Sequence, residues 1–279
     1  MGIFGFFKII LRGISQVMLQ NNALTGALFL AGIFYNSWVM GVGALIGVFV
    51  STFTAFVLKY KKQDIRDGLY GFNGTLAGIA LFFFFKINIF LVSLVILSSI
   101  FSSIIMNFMH KRRLYPFTLP FVLITWVSIL IAKFFNLAST QTSELVKETG
   151  LNVLPSLSMG LGQVMFQTSI ITGIIFLIAI LVNSRISAVY ALIGSSMGVL
   201  VSFLLSFPLN LVNTGIFGFN GVLCAIAFAD KRNASLIYAL ISAAISVFII
   251  YGMISLSIIS LTAPFVFAAW IVLALQKHI

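Results

Sequence analysis

Gly13-Ile14-Ser15-Gln16-Val17-Met18-Leu19-Gln20, followed by Leu24-Thr25-Gly26, returns as Gly160-Leu161-Gly162-Gln163-Val164-Met165-Phe166-Gln167, followed by Ile171-Thr172-Gly173. The copies lie about 147 residues apart. The same interval carries Gly71-Phe72-Asn73-Gly74 with Leu76 onto Gly218-Phe219-Asn220-Gly221 with Leu223. An interval of about 144 carries Thr118-Leu119-Pro120-Phe121-Val122 onto Thr262-Ala263-Pro264-Phe265-Val266, with Trp126 or Trp270 following. Three motifs repeated in one order divide the chain into two similar halves, 1–136 and 152–279. Between them, 137–151 reads as a polar linker containing Thr140, Gln141, Thr142, Ser143, Glu144, Lys147 and Glu148.

The solvent of these halves follows from composition. Of 279 residues, 61% are hydrophobic and 8% charged, a balance that belongs in a bilayer. Runs such as 26–56 and 88–109 hold few or no ionisable groups and exceed the roughly 20 residues that cross a hydrocarbon core. Each half parses into a short segment at the Gln-Val motif and five spans. These are 22–36, 40–58, 69–86, 88–108 and 116–134, then 169–183, 188–207, 215–229, 234–251 and 255–275. The first span of each set is short for a full crossing unless the Gln-Val segment also dips into the membrane as a re-entrant half-helix. The fold class expected is an all-α polytopic membrane protein of two inverted five-helix repeats.

Charge sets the orientation. The net charge of +11 does not gather into a basic groove or helix, so no nucleic-acid partner is expected. Lys and Arg instead punctuate the ends of apolar runs. With both termini in the cytoplasm, thirteen of the 16 cations fall on that side, and only Lys86, Lys133 and Lys147 on or near the other. Five spans per half is an odd number, so the second half enters from the opposite side. Similar sequences of opposite topology imply a pseudo-two-fold axis in the membrane plane and a candidate pore between the halves. The stretch 1–14 reads as part of the mature chain rather than a cleaved signal.

Several chemistries drop out at this stage. The single cysteine, Cys224, lies in an apolar run and only His110 and His278 are histidines, so neither a metal nor another cofactor is expected. Asp64, Asp67, Glu144, Glu148 and Asp230 all fall in loops or at span ends, leaving no midmembrane carboxylate as an ion relay. Neither a phosphate-binding Gly-rich loop nor a hydrolase motif is present. Passive flux therefore outranks pumping, coupled transport and catalysis.

The repeated residues supply the candidate pathway. Thr118 and Thr262 each precede a proline by two, where a missing N–H can free carbonyls for a neighbouring hydroxyl to join as acceptors. Alternatively, each Thr bonds its own helix and the Pro merely kinks a span. Gln16 and Gln163 can both accept from and donate to a neutral amide-like solute, or can serve as interhelical glue. Gln20 and Gln167 rank below them. Phe72 with Leu76, and Phe219 with Leu223, have i,i+4 spacing and share a helical face. Two opposed rings would form a flat slot that admits a planar molecule and rejects hydrated ions. Such a stripe is otherwise ordinary core or lipid-facing surface. Asn73 and Asn220 read as structural ties.

On these doubled motifs the chain resembles the urea transporter family over nearly its whole length. The resemblance implies channel-like passive passage of urea, ten spans plus two pore helices in inverted halves, and a homotrimer with one pore per subunit. It implies that Gln16 and Gln163 stand at the pore-helix starts with Val17 and Val164 beside them. Phe72, Leu76, Phe219 and Leu223 then form the slot, and Thr118 and Thr262 contribute to rows of oxygen acceptors. Leu19 stands where an aromatic is expected, and Phe166 holds the partner position. Alternatives are passage of short-chain amides, ammonia or water, or a non-transporting membrane scaffold. The destination implied is the plasma membrane or a bacterial inner membrane, with lipid as the surrounding partner.

Overall fold

Short polar side chains cut the apolar runs into helices. Asn22 Oδ1 accepts from the backbone N–H groups of Leu24 and Thr25, Ser37 from Met40 and Asn88 from Leu91, each starting a helix whose first donors would otherwise lack partners. Ser169 and Ser184 do the same for Thr172 and Ser187. The computed structural model describes residues 2–136 and 150–276, so most of the expected linker, 137–149, lies outside the described residues.

The chain divides into two compact units, Met1–Ser143 and Glu144–Ile279. The first holds α1 (Ile3–Ser15), a 3₁₀ turn (Gln16–Met18), α2 (Ala23–Asn36), α3 (Trp38–Val57), α4 (Lys62–Arg66), α5 (Phe72–Phe84), α6 (Ile89–Lys111) and α7 (Leu119–Phe134). The second holds α8 (Val153–Gln163), α9 (Ile170–Asn183), α10 (Arg185–Leu204), α11 (Leu209–Asn213), α12 (Phe219–Ala227), α13 (Asn233–Ser255) and α14 (Ala263–Gln276). No strand occurs among the described residues. Helix bounds recur at the sequence intervals, and the drop from about 147 to about 144 falls where α12 has 9 residues against 13 in α5.

Helix length departs from the sequence expectation. Among the described residues α3, α6, α10 and α13 are long and apolar enough to cross a membrane, and a fifth crossing results if the bent pair of α1 and α2 counts as one. That pair bends by 74° at its break. This is an all-α, multi-pass membrane protein, but α2, α5, α7, α9, α12 and α14 are each shorter than a span. Thirteen residues of helix α5 reach only ~20 Å.

The expected spans 116–134 and 255–275 also start late, at Leu119 and Ala263. Backbone geometry explains the delay: Phe117 and Leu261 take left-handed φ values of 44° and 47°, which no helix tolerates in its interior. Pro120 and Pro264 then lack the N–H for an i−4 bond, and the turn closes one residue tighter. Leu119 N–H donates to Pro116 O at 2.9 Å and Ala263 N–H to Ser260 O at 3.1 Å.

Glycine lets the central helices of each unit touch backbone to backbone. A Cβ on Gly47 of α3 would collide with the Gly74 carbonyl of α5, and one on Gly194 of α10 with the Gly221 carbonyl of α12. In a lipid solvent such close approach is the main source of helix–helix attraction. It fixes α5 and α12, which carry the Gly-Phe-Asn-Gly motifs, in the middle of their units.

Candidate functional site

Each unit assembles its repeated residues around the start of its central short helix. In the first, α1 is stopped by a Schellman turn: Gln20 N–H donates to Ser15 O at 3.1 Å and Leu19 N–H to Gln16 O at 2.9 Å, with Leu19 at φ 58°. In the second, Gln167 N–H donates to Gly162 O at 3.1 Å and Phe166 N–H to Gln163 O at 3.0 Å, with Phe166 at φ 60°. Leu19 and Phe166 are thus the left-handed residues of matching turns, and both are partly buried.

These turns correct the placement of the glutamines. Gln16 caps the C-terminal end of α1 and Gln163 closes α8, so they stand at helix ends rather than helix starts. The left-handed turn residue three positions on is what ends each helix. Backbone donors therefore do not project from these points; the carbonyl end of the helix, with its partial negative charge, does.

Each glutamine is held by one bond to the turn that precedes the central helix. Gln16 Nε2 donates to Asp67 O at 2.9 Å, and Gln163 Nε2 to Thr214 O at 3.2 Å. The opposite amide atom, Oε1, has no partner among the described residues in either case. An oriented acceptor is left beside a carbonyl-rich helix end. Val17 and Val164, the next residues along, are fully buried.

Phe72 and Phe219 are the first residues of α5 and α12, with Leu76 and Leu223 one turn further on the same face. All four are buried. Asn73 and Asn220, next to the rings, tie the central helix to the last helix of the unit. Asn73 Oδ1 accepts from Phe121 N–H at 3.1 Å, and Asn220 Oδ1 from Phe265 N–H at 3.0 Å, the first-turn donors of α7 and α14. Asn220 Nδ2 also donates to Leu261 O at 3.3 Å, whereas Asn73 Nδ2 meets Met106 Sδ at 3.8 Å.

Thr118 and Thr262 stand immediately before α7 and α14 and are buried. Their carbonyls accept from Val122 N–H at 3.0 Å and Val266 N–H at 3.2 Å, so the carbonyls of these two residues are not freed by the proline. The proline sits in a first helical turn, where its missing donor costs nothing, and does not kink a span. Hydrogen bonding thus ties the Gln16 turn and the first turn of α7 to the segment that opens α5, and the Gln163 turn and the first turn of α14 to the segment that opens α12.

One element escaped sequence reading. The turns that hold the glutamines, Asp67-Gly68 and Thr214-Gly215, put Gly68 and Gly215 at φ 77° and 74°. The signal was present: the doubled motif extends upstream as Gly-x-x-Gly, Gly68 with Gly71 and Gly215 with Gly218. Around Asp67 the surroundings are charged and polar, with Arg12 at 3.9 Å, Asn21 at 3.1 Å and Gln63 at 2.9 Å from its carboxylate. Thr214 gives the second unit no such carboxylate. Among the described residues no three His, Cys, Asp or Glu side chains gather as metal ligands.

Comparison with known proteins covers almost all of this architecture. The family profile described as "Urea transporter" matches residues 7–277. Urea transporter 1 of Rattus norvegicus is 34% identical over 239 residues, 80% of this chain and 62% of that protein. The Mus musculus and Ovis aries proteins of that name are each 33% identical over the same length and coverage. The matched region thus spans less than two thirds of the curated relatives' own length.

Proposed function

Because the chain belongs to the urea transporter family, we propose that it lets urea cross a membrane passively, down its gradient, along a pathway lined by its repeated residues. The repeats insert with opposite topology, five crossings each, and the Gln-Val segments act as re-entrant pore elements. Both termini lie in the cytoplasm, and the membrane is the plasma membrane or a bacterial inner membrane. Three subunits assemble, each with its own pore. The thirteen-to-three distribution of cations and the recurrence of helix bounds support this reading.

The observation that carries the proposal is the half-site built twice: a glutamine acceptor at a helix end, a ring and leucine on one helical face, and a buried threonine before a Pro-containing helix. Urea is planar, carries N–H donors on both nitrogens and has one carbonyl. Acceptors must therefore outnumber donors along its route, and Gln Oε1 beside helix carbonyls meets that requirement. Phe72 with Leu76 in one unit, and Phe219 with Leu223 in the other, each take the flat face of the molecule, while its edge bonds to the Thr118 or the Thr262 hydroxyl. Val17, Leu19, Val164 and Phe166 shape the mouths.

Each exchanged hydrogen bond nets only about 1 kcal/mol, but one lost without replacement costs about 1–3 kcal/mol. Rapid passage needs continuous replacement with no deep well. Ions fail because an apolar slot strips their water without compensation.

A solute series in proteoliposomes tests the reading. Urea, formamide and acetamide, all planar amides, are expected to equilibrate faster than in protein-free vesicles, with glycerol at the background rate. Glycerol passing as fast as urea would replace the slot with a general polar pore.

A further inference from the structure

The cations at the end of α3 form a pocket whose chemistry the transport pathway does not use. Phe56, Lys59, Tyr60, Lys62, Ile65 and Arg66 line a cavity of about 420 Å³ where α3 gives way to α4. Neighbouring cations are already neutralised: Lys61 lies 3.4 Å from Asp64, and Arg12 lies 3.9 Å from Asp67. None of the ion pairs among the described residues engages Lys59, Lys62 or Arg66. Three residues with uncompensated positive charge thus help to line one cavity.

The second unit shows that the fold does not require them. Lys59, Lys62 and Arg66 correspond by the repeat to Ser206, Leu209 and Asn213. The backbone is the same, with Lys59 at φ 52° and Ser206 at φ 55°, and α4 and α11 both have five residues. The position of the pocket supplies the other half of the argument. α3 is long and apolar enough to cross a membrane, and it exposes Phe53 and Val57 in its last turns and Leu58 at its cap, so an apolar surface adjoins the cations. Arg12 Nη1 donates to Arg66 O at 2.9 Å and pins α4 from below, so the pocket is prebuilt.

We propose that this pocket holds the headgroup of an anionic phospholipid, the phosphate meeting Lys59, Lys62 and Arg66 and the acyl chains running along Phe53 and Val57. A cationic pocket beside an exposed apolar helix matches an amphiphile better than a free anion, and surface cations strengthen such contacts additively. The assignment is independent of what the protein transports.

Native mass spectrometry of the purified full chain, titrated with phosphatidylglycerol, phosphatidylcholine or inorganic phosphate, tests it. Phosphatidylglycerol is expected to bind at least about tenfold more tightly than phosphatidylcholine. The variant K59Q/K62Q/R66Q is expected to lose that preference, and K59R/K62R/R66K to keep it. The control K111Q/R112Q/R113Q removes the same charge from the turn after α6 and is expected to leave the preference intact. Equal binding of the two lipids by the unmodified protein overturns the proposal without reference to any variant. So does an equal loss in both charge-removed triples, or displacement of phosphatidylglycerol by equimolar phosphate.

Discussion

The loop-side corners of the two units share a backbone and little else. In the first, Tyr60 and Tyr70 lie with ring centroids 4.9 Å apart, and the Tyr70 hydroxyl donates to Asn107 Oδ1 at 3.2 Å. Buried Asp64 stands 3.3 Å from His110 Nε2, and burial pushes the Tyr60 phenol pKa up. In the second, the matching residues are Phe207, Phe217, Tyr251, Leu211 and Ile254. Phe207 stacks on Tyr251 at 3.8 Å and packs against Phe217 at 5.2 Å. The turns after α6 and α13 nonetheless both carry a residue at φ 57°, Arg113 and Ser257. One frame accepts a charged corner or an aromatic one. The glutamine, the Gly-Phe-Asn-Gly start and the Thr-x-Pro-Phe helix are kept in both units, which marks them as the parts that must occur twice.

That division can be broken at several levels. The largest effect is expected at the shared helix contact: Gly47→Ala and Gly194→Ala each force backbone apart and should cost roughly 3 kcal/mol or more. The measurement is the thermal midpoint in detergent, and a shift of under a degree in either variant would show that the units do not depend on this contact. Next come the ties. Asn73→Leu and Asn220→Leu each leave a buried helix donor unpaired, about 1–3 kcal/mol. Asn220→Leu should be the worse because it also strands the Leu261 carbonyl, and the reverse order would refute that second hydrogen bond as a stabilising contact.

Smaller effects separate transport from stability. Thr118→Val with Thr262→Val should lower urea flux about tenfold at equal protein abundance. Unchanged flux would remove the hydroxyls from the pathway. Smallest is His110→Gln, which removes one of the two partners of Asp64 at the unshared corner and leaves Lys61. It should cost less than about 1 kcal/mol because the histidine is 44% exposed and Lys61 remains, and should leave flux alone. A flux loss as large as that of the double threonine variant would make the corner part of the pathway.

Sequence revealed the doubling because motifs are local strings: Gln-Val, Gly-Phe-Asn-Gly and Thr-x-Pro-Phe recur in order whatever their three-dimensional roles. It also gave the asparagines their role as ties, since an amide between a phenylalanine and a glycine in an apolar helix must find a partner. The direction of the glutamine-bearing helices was not legible. A helix normally advertises its left-handed end with glycine, and in this chain Leu19 and Phe166 occupy that conformation instead. The same holds for Phe117 and Leu261, which hid the late starts of α7 and α14 inside runs that hydropathy alone reads as full spans. Asp64 reads only as a loop or span-end residue because nothing in its sequence neighbourhood points to His110 on α6.

The most direct test of passive passage is stopped-flow urea flux through the purified chain in liposomes, run with and without proton and sodium gradients. Equilibration well above the protein-free rate, identical in every ionic condition, is the expected result. Flux at the protein-free rate, or flux that arises only when an ion gradient is imposed, would contradict it.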